Sequence, residues 1–212
     1  VVDAGLPASR VFVKPNFYPG NPAVVPWAQR QPCVVFAGRL TAEKGVATLI
    51  RAWQLWGPGA PELRVLGDGP LRADLEAMAA GLPVRFLGQV STTEAQRQIA
   101  QASLLVLPSE CFEGFPMVVR EAFAFGTPAA VSNLGPLPSI VTHGVSGVVF
   151  EAGKPASLAC ELRQIWQTPG QAELLGRGAR DTFGASFNED VNYQFLMAIY
   201  RQAELLRTKA EM

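Results

Sequence analysis

The chain has 212 residues, 49% of them hydrophobic, a mean hydropathy of +0.16, and eighteen Lys and Arg set against eighteen Asp and Glu. Such a chain buries a substantial core, which excludes disorder, and its zero net charge lacks the basic footprint of a nucleic-acid or anionic-membrane binder. One histidine, His143, and three dispersed cysteines, Cys33, Cys111 and Cys160, are too few for a zinc site and leave one imidazole on which to build any Ser-His-Asp triad.

The first residues, Val1-Val2-Asp3, contain no initiator Met and no signal-peptide pattern, so the chain is expected to be a fragment. Its odd, scattered cysteines fit a reducing compartment, and no apolar run approaches eighteen residues, so no membrane span is expected. Six of the seventeen prolines (Pro7, Pro15, Pro19, Pro22, Pro26 and Pro32) precede residue 33, which marks residues 1–32 as a connector, loosely held unless it docks on the sheet. From Cys33 onward, apolar β-rich runs at 33–37, 63–66, 84–87, 104–107, 129–132 and 148–150 predict six strands. Helical periods fall between them: Val46, Leu49, Ile50 and Trp53, then Leu71, Leu75, Met78 and Ala79. Ser91-Thr92-Thr93-Glu94 is a capping-box pattern, and Gly81 and Gly126 stand where helices should stop. Beyond residue 154 the pattern is wholly helical, with Leu158, Leu162, Ile165 and Trp166 on one face and a last segment from about 189 to 206. Strict alternation of strand and helix predicts an α/β fold, a Rossmann-like, doubly wound six-stranded parallel sheet with extra C-terminal helices.

In such a sheet, ligands bind outside the carboxyl ends of the strands. The segment 67–72, Gly-Asp-Gly-Pro-Leu-Arg, lacks the third glycine of a dinucleotide fingerprint, and no Gly-Lys-Ser/Thr exists for a P-loop. Gly67, Gly69 and Pro70 therefore read as a strand exit with proline in the first helical turn. Gly38 and Arg39 follow the first strand and Lys44 opens the next helix. The guanidinium fork and the mobile ammonium would together neutralise a diphosphate, or else be ordinary solvated cations. After the fourth strand comes Ser109 through Ala122. Glu113 lies in the loop, Gly114 lets a ligand approach the backbone, and Pro116 suits the first helical turn. The N–H groups around Phe115, Met117 and Val118 then face an anion. Glu121, a turn into that helix, suits the vicinal hydroxyls of a ribose, and Glu113 suits a sugar hydroxyl; the bland alternative is a capped core helix with one solvated acid.

These residues resemble the carboxyl-terminal domain of retaining GT-B glycosyltransferases of the family-four group. Val13 to Phe17 is similar to the family's interdomain linker, Gly38-Arg39 with Lys44-Gly45 to its phosphate element, and Leu66 to Pro70 and Phe86 to Val90 to its strand exits. Glu113 through Glu121 resembles its E-x7-E motif, and Phe123 to Pro128, Leu134 to Pro138 and Gly144 to Gly147 follow in the family's order.

The resemblance implies a donor-binding domain at 33–185, a linker remnant at 1–32, and a helix at 186–212 that would cross back to an absent amino-terminal half. It implies transfer from a UDP- or GDP-linked sugar to an acceptor hydroxyl in polysaccharide or glycoconjugate synthesis, without a metal. The sequence has no DxD. Arg39 and Lys44 would hold the diphosphate, Glu121 the ribose and Glu113 the sugar, with Gly88 and Val90 at the base. The acceptor would come through the missing half. A cytoplasmic location, peripheral at the inner membrane face in the full-length enzyme, and weak self-association of the fragment are the further expectations. Two other readings stay open: a GT-B-like sugar-nucleotide epimerase and a non-catalytic nucleotide-sugar-binding module. Ser139 and Pro116 depart from common family residues. Arg120, where an apolar residue is common, is expected on a solvated face, and His143 at a helix end before Gly144.

Overall fold

A computed structural model describes Gly5 and residues 7–210 of the chain; Val1-Val2-Asp3 lies outside the described residues. The six strands are β1 (Gln31–Ala37), β2 (Glu62–Leu66), β3 (Val84–Gly88), β4 (Ala102–Leu107), β5 (Ala129–Ser132) and β6 (Gly147–Phe150). All pair in parallel in the order β3-β2-β1-β4-β5-β6. Each contains its predicted apolar run. The helices are α1 (Val46–Trp56), α2 (Arg72–Met78), α3 (Thr92–Gln101), α4 (Met117–Ala124), α5 (Leu137–Ile140), α6 (Pro155–Gln167), α7 (Gln171–Ser186) and α8 (Glu189–Ala210).

The two-residue period of the strands divides the core into two layers. Val34 and Phe36 of β1 join Leu63 and Val65 of β2 under α1, α2 and α6, while Cys33 and Val35 point the other way, under α3, α4, α5 and α7. Trp53 is fully buried and its Nε1 donates to the Pro61 carbonyl at 2.8 Å, so the buried tryptophan of α1 leaves no polar atom unsatisfied. Ser91 caps α3 by accepting the Glu94 N–H at 3.2 Å, and Gly126 follows α4 at φ +66°.

Four local expectations are corrected. Pro70 stands ahead of α2, whose N-cap is Leu71, and Pro116 is itself the N-cap of α4, so neither proline lies inside the first turn. His143 is not at a helix terminus: it bridges to Gly147, and its Nδ1 accepts the Val149 N–H of β6 at 3.1 Å. Arg120 is fully buried rather than solvated, because the α4 face that carries it is covered by aromatic rings.

Between Lys14 and Arg30 the proline-rich stretch is docked. The Tyr18 ring packs edge-on against Phe125 and Phe183 at 5.8 and 6.4 Å, and its N–H donates to the Phe187 carbonyl at 3.0 Å. Lys14 Nζ reaches Asn192 Oδ1 at 2.9 Å, and Asn192 Nδ2 donates to the Pro15 carbonyl at 2.7 Å. Arg30 is the main anchor. Its guanidinium donates to the carbonyls of Val25, Ala102 and Phe125 and to Thr127 Oγ1, at 2.6 to 3.3 Å. Burial pushes its pKa down to about 10. Because the substitution would take the guanidinium donors away from the buried Ala102 and Phe125 carbonyls and Thr127 Oγ1, Arg30→Met should lower stability by about 2–4 kcal/mol. Urea unfolding checks this, and an unchanged midpoint would contradict it.

Candidate active site

The strand order reverses direction between β1 and β4, so the chain leaves these neighbouring strands toward opposite sides of the sheet and opens a crevice at their carboxyl ends. The exits around it are stitched together by backbone. From the β3 side, the Gly67 N–H donates to the Gly88 carbonyl at 2.8 Å, Leu40 N–H to the Asp68 carbonyl at 2.9 Å, and Glu110 N–H to the Glu43 carbonyl at 2.8 Å. Glycine makes this closeness sterically available. A Cβ on Gly45, whose φ is +68°, would fall 1.8 Å from the Pro108 carbonyl oxygen, and one on Gly67 would fall 1.9 Å from that of Gly38.

Gly45 is also the N-cap of α1, preceded by a 3-10 turn over Ala42–Lys44. This geometry sends Lys44 across to the β4 exit, where its Nζ meets Glu113 Oε1 at 2.6 Å. Ser109, fully buried, donates its hydroxyl to the same oxygen at 2.5 Å, while its carbonyl accepts Ser132 Oγ at 2.7 Å. Glu113 is thus tied to β1, β4 and β5 together. Thr48 Oγ1, in the first turn of α1, donates to Glu110 Oε1 at 2.5 Å and closes the loop on α1.

The remaining predicted residues take different places around this centre. Arg39 is exposed just beyond β1, and Gly38 donates its N–H to the Leu66 carbonyl at 3.0 Å. Gly114 is exposed, and a Cβ there would meet no protein atom within 4 Å, so no contact in the fold calls for glycine at this position. Phe115, Met117 and Val118 surround the start of α4, where no side chain caps the free N–H groups. Glu121 lies half-buried near Tyr18, and burial, then the Glu121 charge, raises the Tyr18 phenol above its ordinary pKa. Gln96 Nε2 approaches Glu121 Oε1 at 3.5 Å, a long contact. Gly88 and Val90 lie at the β3 exit, two strands or about 10 Å from β1. Val90 borders a depression of about 410 Å³ shared with Arg64, Arg85, Glu94 and Arg97.

Sequence reasoning gave no role to Ser109, Thr48, Glu110 or Tyr18. The Ser109-x3-Glu113 spacing inside the motif was a usable signal for the first. Nothing in a proline-rich stretch announces that Tyr18 reaches the site.

A family model described as glycosyl transferases group 1 matches residues 20–182. The chain is 30% identical over 156 residues to sulfoquinovosyl transferase SQD2 of Arabidopsis thaliana, covering 71% of this chain and 30% of that protein. It is 33% identical over 175 residues to glycogen synthase of Mycobacterium tuberculosis, covering 77% and 42%. The solved structure of Anabaena Alr3699/HepE in complex with UDP and glucose superposes with a TM-score of 0.71 at 22% identity, over 82% of this chain and 49% of that one. The chain therefore spans less than half the length of each of these proteins. No helix among the described residues is long and apolar enough to cross a membrane. The chain belongs to the glycosyl transferases group 1 family, and its architecture is that of the carboxyl-terminal domain of a GT-B glycosyltransferase.

Proposed function

We propose that this chain is the donor-binding half of a retaining glycosyltransferase that moves a sugar from a UDP- or GDP-linked donor to an acceptor hydroxyl in polysaccharide or glycoconjugate synthesis. One observation carries the reading: Lys44 and Glu113, from neighbouring strand exits, meet across the β1–β4 crevice. That is where an open α/β sheet binds nucleotides, and the Anabaena neighbour is a complex with UDP and glucose.

In this proposal the nucleotide lies across the strand ends, its base against backbone at Gly88 and Val90 and its ribose hydroxyls on Glu121. The diphosphate lies between Lys44, Arg39 and the free N–H groups at the start of α4, with Gly38 and Gly114 leaving room for close backbone approach. Both recorded bonds to Glu113 land on Oε1, which leaves Oε2 for a hydroxyl of the sugar. An ammonium has three donors, so Lys44 can hold Glu113 and a phosphate oxygen together. The acceptor hydroxyl attacks the anomeric carbon from the face that the diphosphate leaves, and the cations and helix start stabilise the charge that builds on the leaving oxygen. No metal takes part. A reducing, cytoplasmic setting, which the odd and scattered cysteine count suggests, belongs to the same proposal.

In the same proposal α8 packs on the amino-terminal half, which would cover its exposed Tyr193, Phe195, Tyr200 and Leu205. Left uncovered, these apolar side chains should make the chain self-associate as its concentration rises. A single monomeric species in sedimentation velocity throughout the accessible concentration range would contradict that.

Glu113→Gln and Lys44→Ala in the full-length enzyme should each lower transfer about 100- to 1,000-fold, the size typical of losing one oriented stabilising group. Near-normal transfer by either variant overturns the assignment. Donor incubated without acceptor separates the epimerase reading, since only an epimerase would then change the sugar. Donor binding with no transfer to any acceptor would mark a binding module.

A further inference from the structure

Two arginines are buried among the described residues, and they are satisfied very differently. Arg30 makes four hydrogen bonds. Arg120 is more deeply buried, at 0% exposure, yet its Nε and Nη1 have no partner, and among the described residues no carboxylate lies within ion-pair distance of it. Only Nη2 is engaged, with the Phe115 carbonyl at 2.9 Å and Met117 Sδ at 3.2 Å. The guanidinium carbon lies 3.8 Å from the centroid of the Phe115 ring, which in turn packs edge-on against Phe187 at 5.9 Å.

Burying a cation with so little compensation is unfavourable, and an apolar side chain of similar volume would serve the core better. Every group that Arg120 does engage belongs to the entrance of α4. With Pro116 as N-cap, the Phe115 carbonyl lies outside the helix ladder, and Arg120 is its donor. The pull of that bond and of the ring contact fixes Phe115 and, through it, the turn between Glu113 and the first free N–H groups of the helix. A positive charge in a poorly solvated place is weakly screened and adds to the positive end of the α4 dipole. Burial lowers the pKa of Arg120 to about 10, against the upward pull of the neighbouring Glu121 carboxylate, which leaves it charged at neutral pH.

We infer that Arg120 is a positioning residue for diphosphate binding: it locks the Phe115 turn at the head of α4 and supplies beneath it a positive charge that no ion pair holds. This rests on the donor-site reading given above. The chain carries a destabilising charge in its core because the anion site needs it.

The test pairs stability with affinity. Arg120→Met should leave Tm unchanged or raise it by about 2–6 °C. It should also weaken binding of UDP and GDP about tenfold by titration calorimetry, with any binding of uridine and guanosine unaffected. A fall in Tm with unchanged diphosphate affinity would make Arg120 a structural residue and overturn the inference while leaving the donor site intact. Should Arg120→Met fail to fold, Arg120→Lys and Arg120→Gln decide. Both keep an N–H for the Phe115 carbonyl but only one keeps the charge, so the Lys variant should bind UDP or GDP at least about fivefold more tightly, and equal affinities would overturn the inference. If the unsubstituted chain binds neither nucleotide, the donor-site reading itself falls and takes this inference with it.

Discussion

The site depends on backbone lying against backbone. Three strand exits, those of β1, β3 and β4, carry the candidate ligand-binding groups, and with the β2 exit they lie close only because glycine stands where a Cβ would overlap a carbonyl oxygen, at Gly45 against Pro108 and at Gly67 against Gly38. Hydrogen bonds between successive exits then run from β3 through β2 and β1 to β4, so the rim of the sheet is continuous rather than a set of independent loops. A continuous rim holds Lys44 and Glu113 in register without relying on long side chains to find each other. The α4 entrance and the Glu113 loop hang from the end of this rim at β4.

Electrostatics on that platform follows a simple division. Partly exposed charges meet the crevice: Lys44 and Glu113 neutralise each other, and a ligand phosphate can join the pair without stranding either partner. Buried charges have the opposite problem, since each must be satisfied from within. Arg30 is, and it ties the proline-rich stretch to the sheet through three carbonyls and a hydroxyl. Arg120 is not, and its location beside the Phe115 turn gives that imbalance a functional reading. The same residue type, buried twice in one domain, thus acts once as a structural anchor and once as a charge held in reserve for an anion.

Most of the fold was legible because it is written in periods. Val34 and Phe36 alternate with Cys33 and Val35, and the two sets enter opposite layers as alternation requires; Leu49, Ile50 and Trp53 recur at helical spacing and are buried together. The motif from Ser109 to Glu121 was legible in its order and its place after β4. What escaped had no period. Arg30 lies among prolines and Arg120 among apolar neighbours, and a charged residue in a pattern argument defaults to solvent. Their burial is decided by segments remote in sequence, the carbonyls of Ala102 and Phe125 for one and the Phe115–Phe187 aromatic contact for the other. The two prolines stand a residue or two ahead of the expected place, Pro116 at the N-cap and Pro70 just before one, because spacing alone does not fix the first residue of a helix.

Family membership and site geometry converge on one account. The parallel sheet brings Lys44 and Glu113 together at its switch point, ahead of an uncapped helix start, and the proposed function reads these groups as a site for a nucleoside diphosphate carrying a sugar. The most direct measurement is a thermal-shift titration of this chain with UDP, GDP, ADP and CMP, with Glu121→Ala as control. The account predicts a selective rise in Tm with one nucleoside diphosphate, corresponding to about 2.7 kcal/mol at a hundredfold excess over its dissociation constant and abolished by the substitution. An equal response to every nucleotide, or one that survives Glu121→Ala, would contradict it.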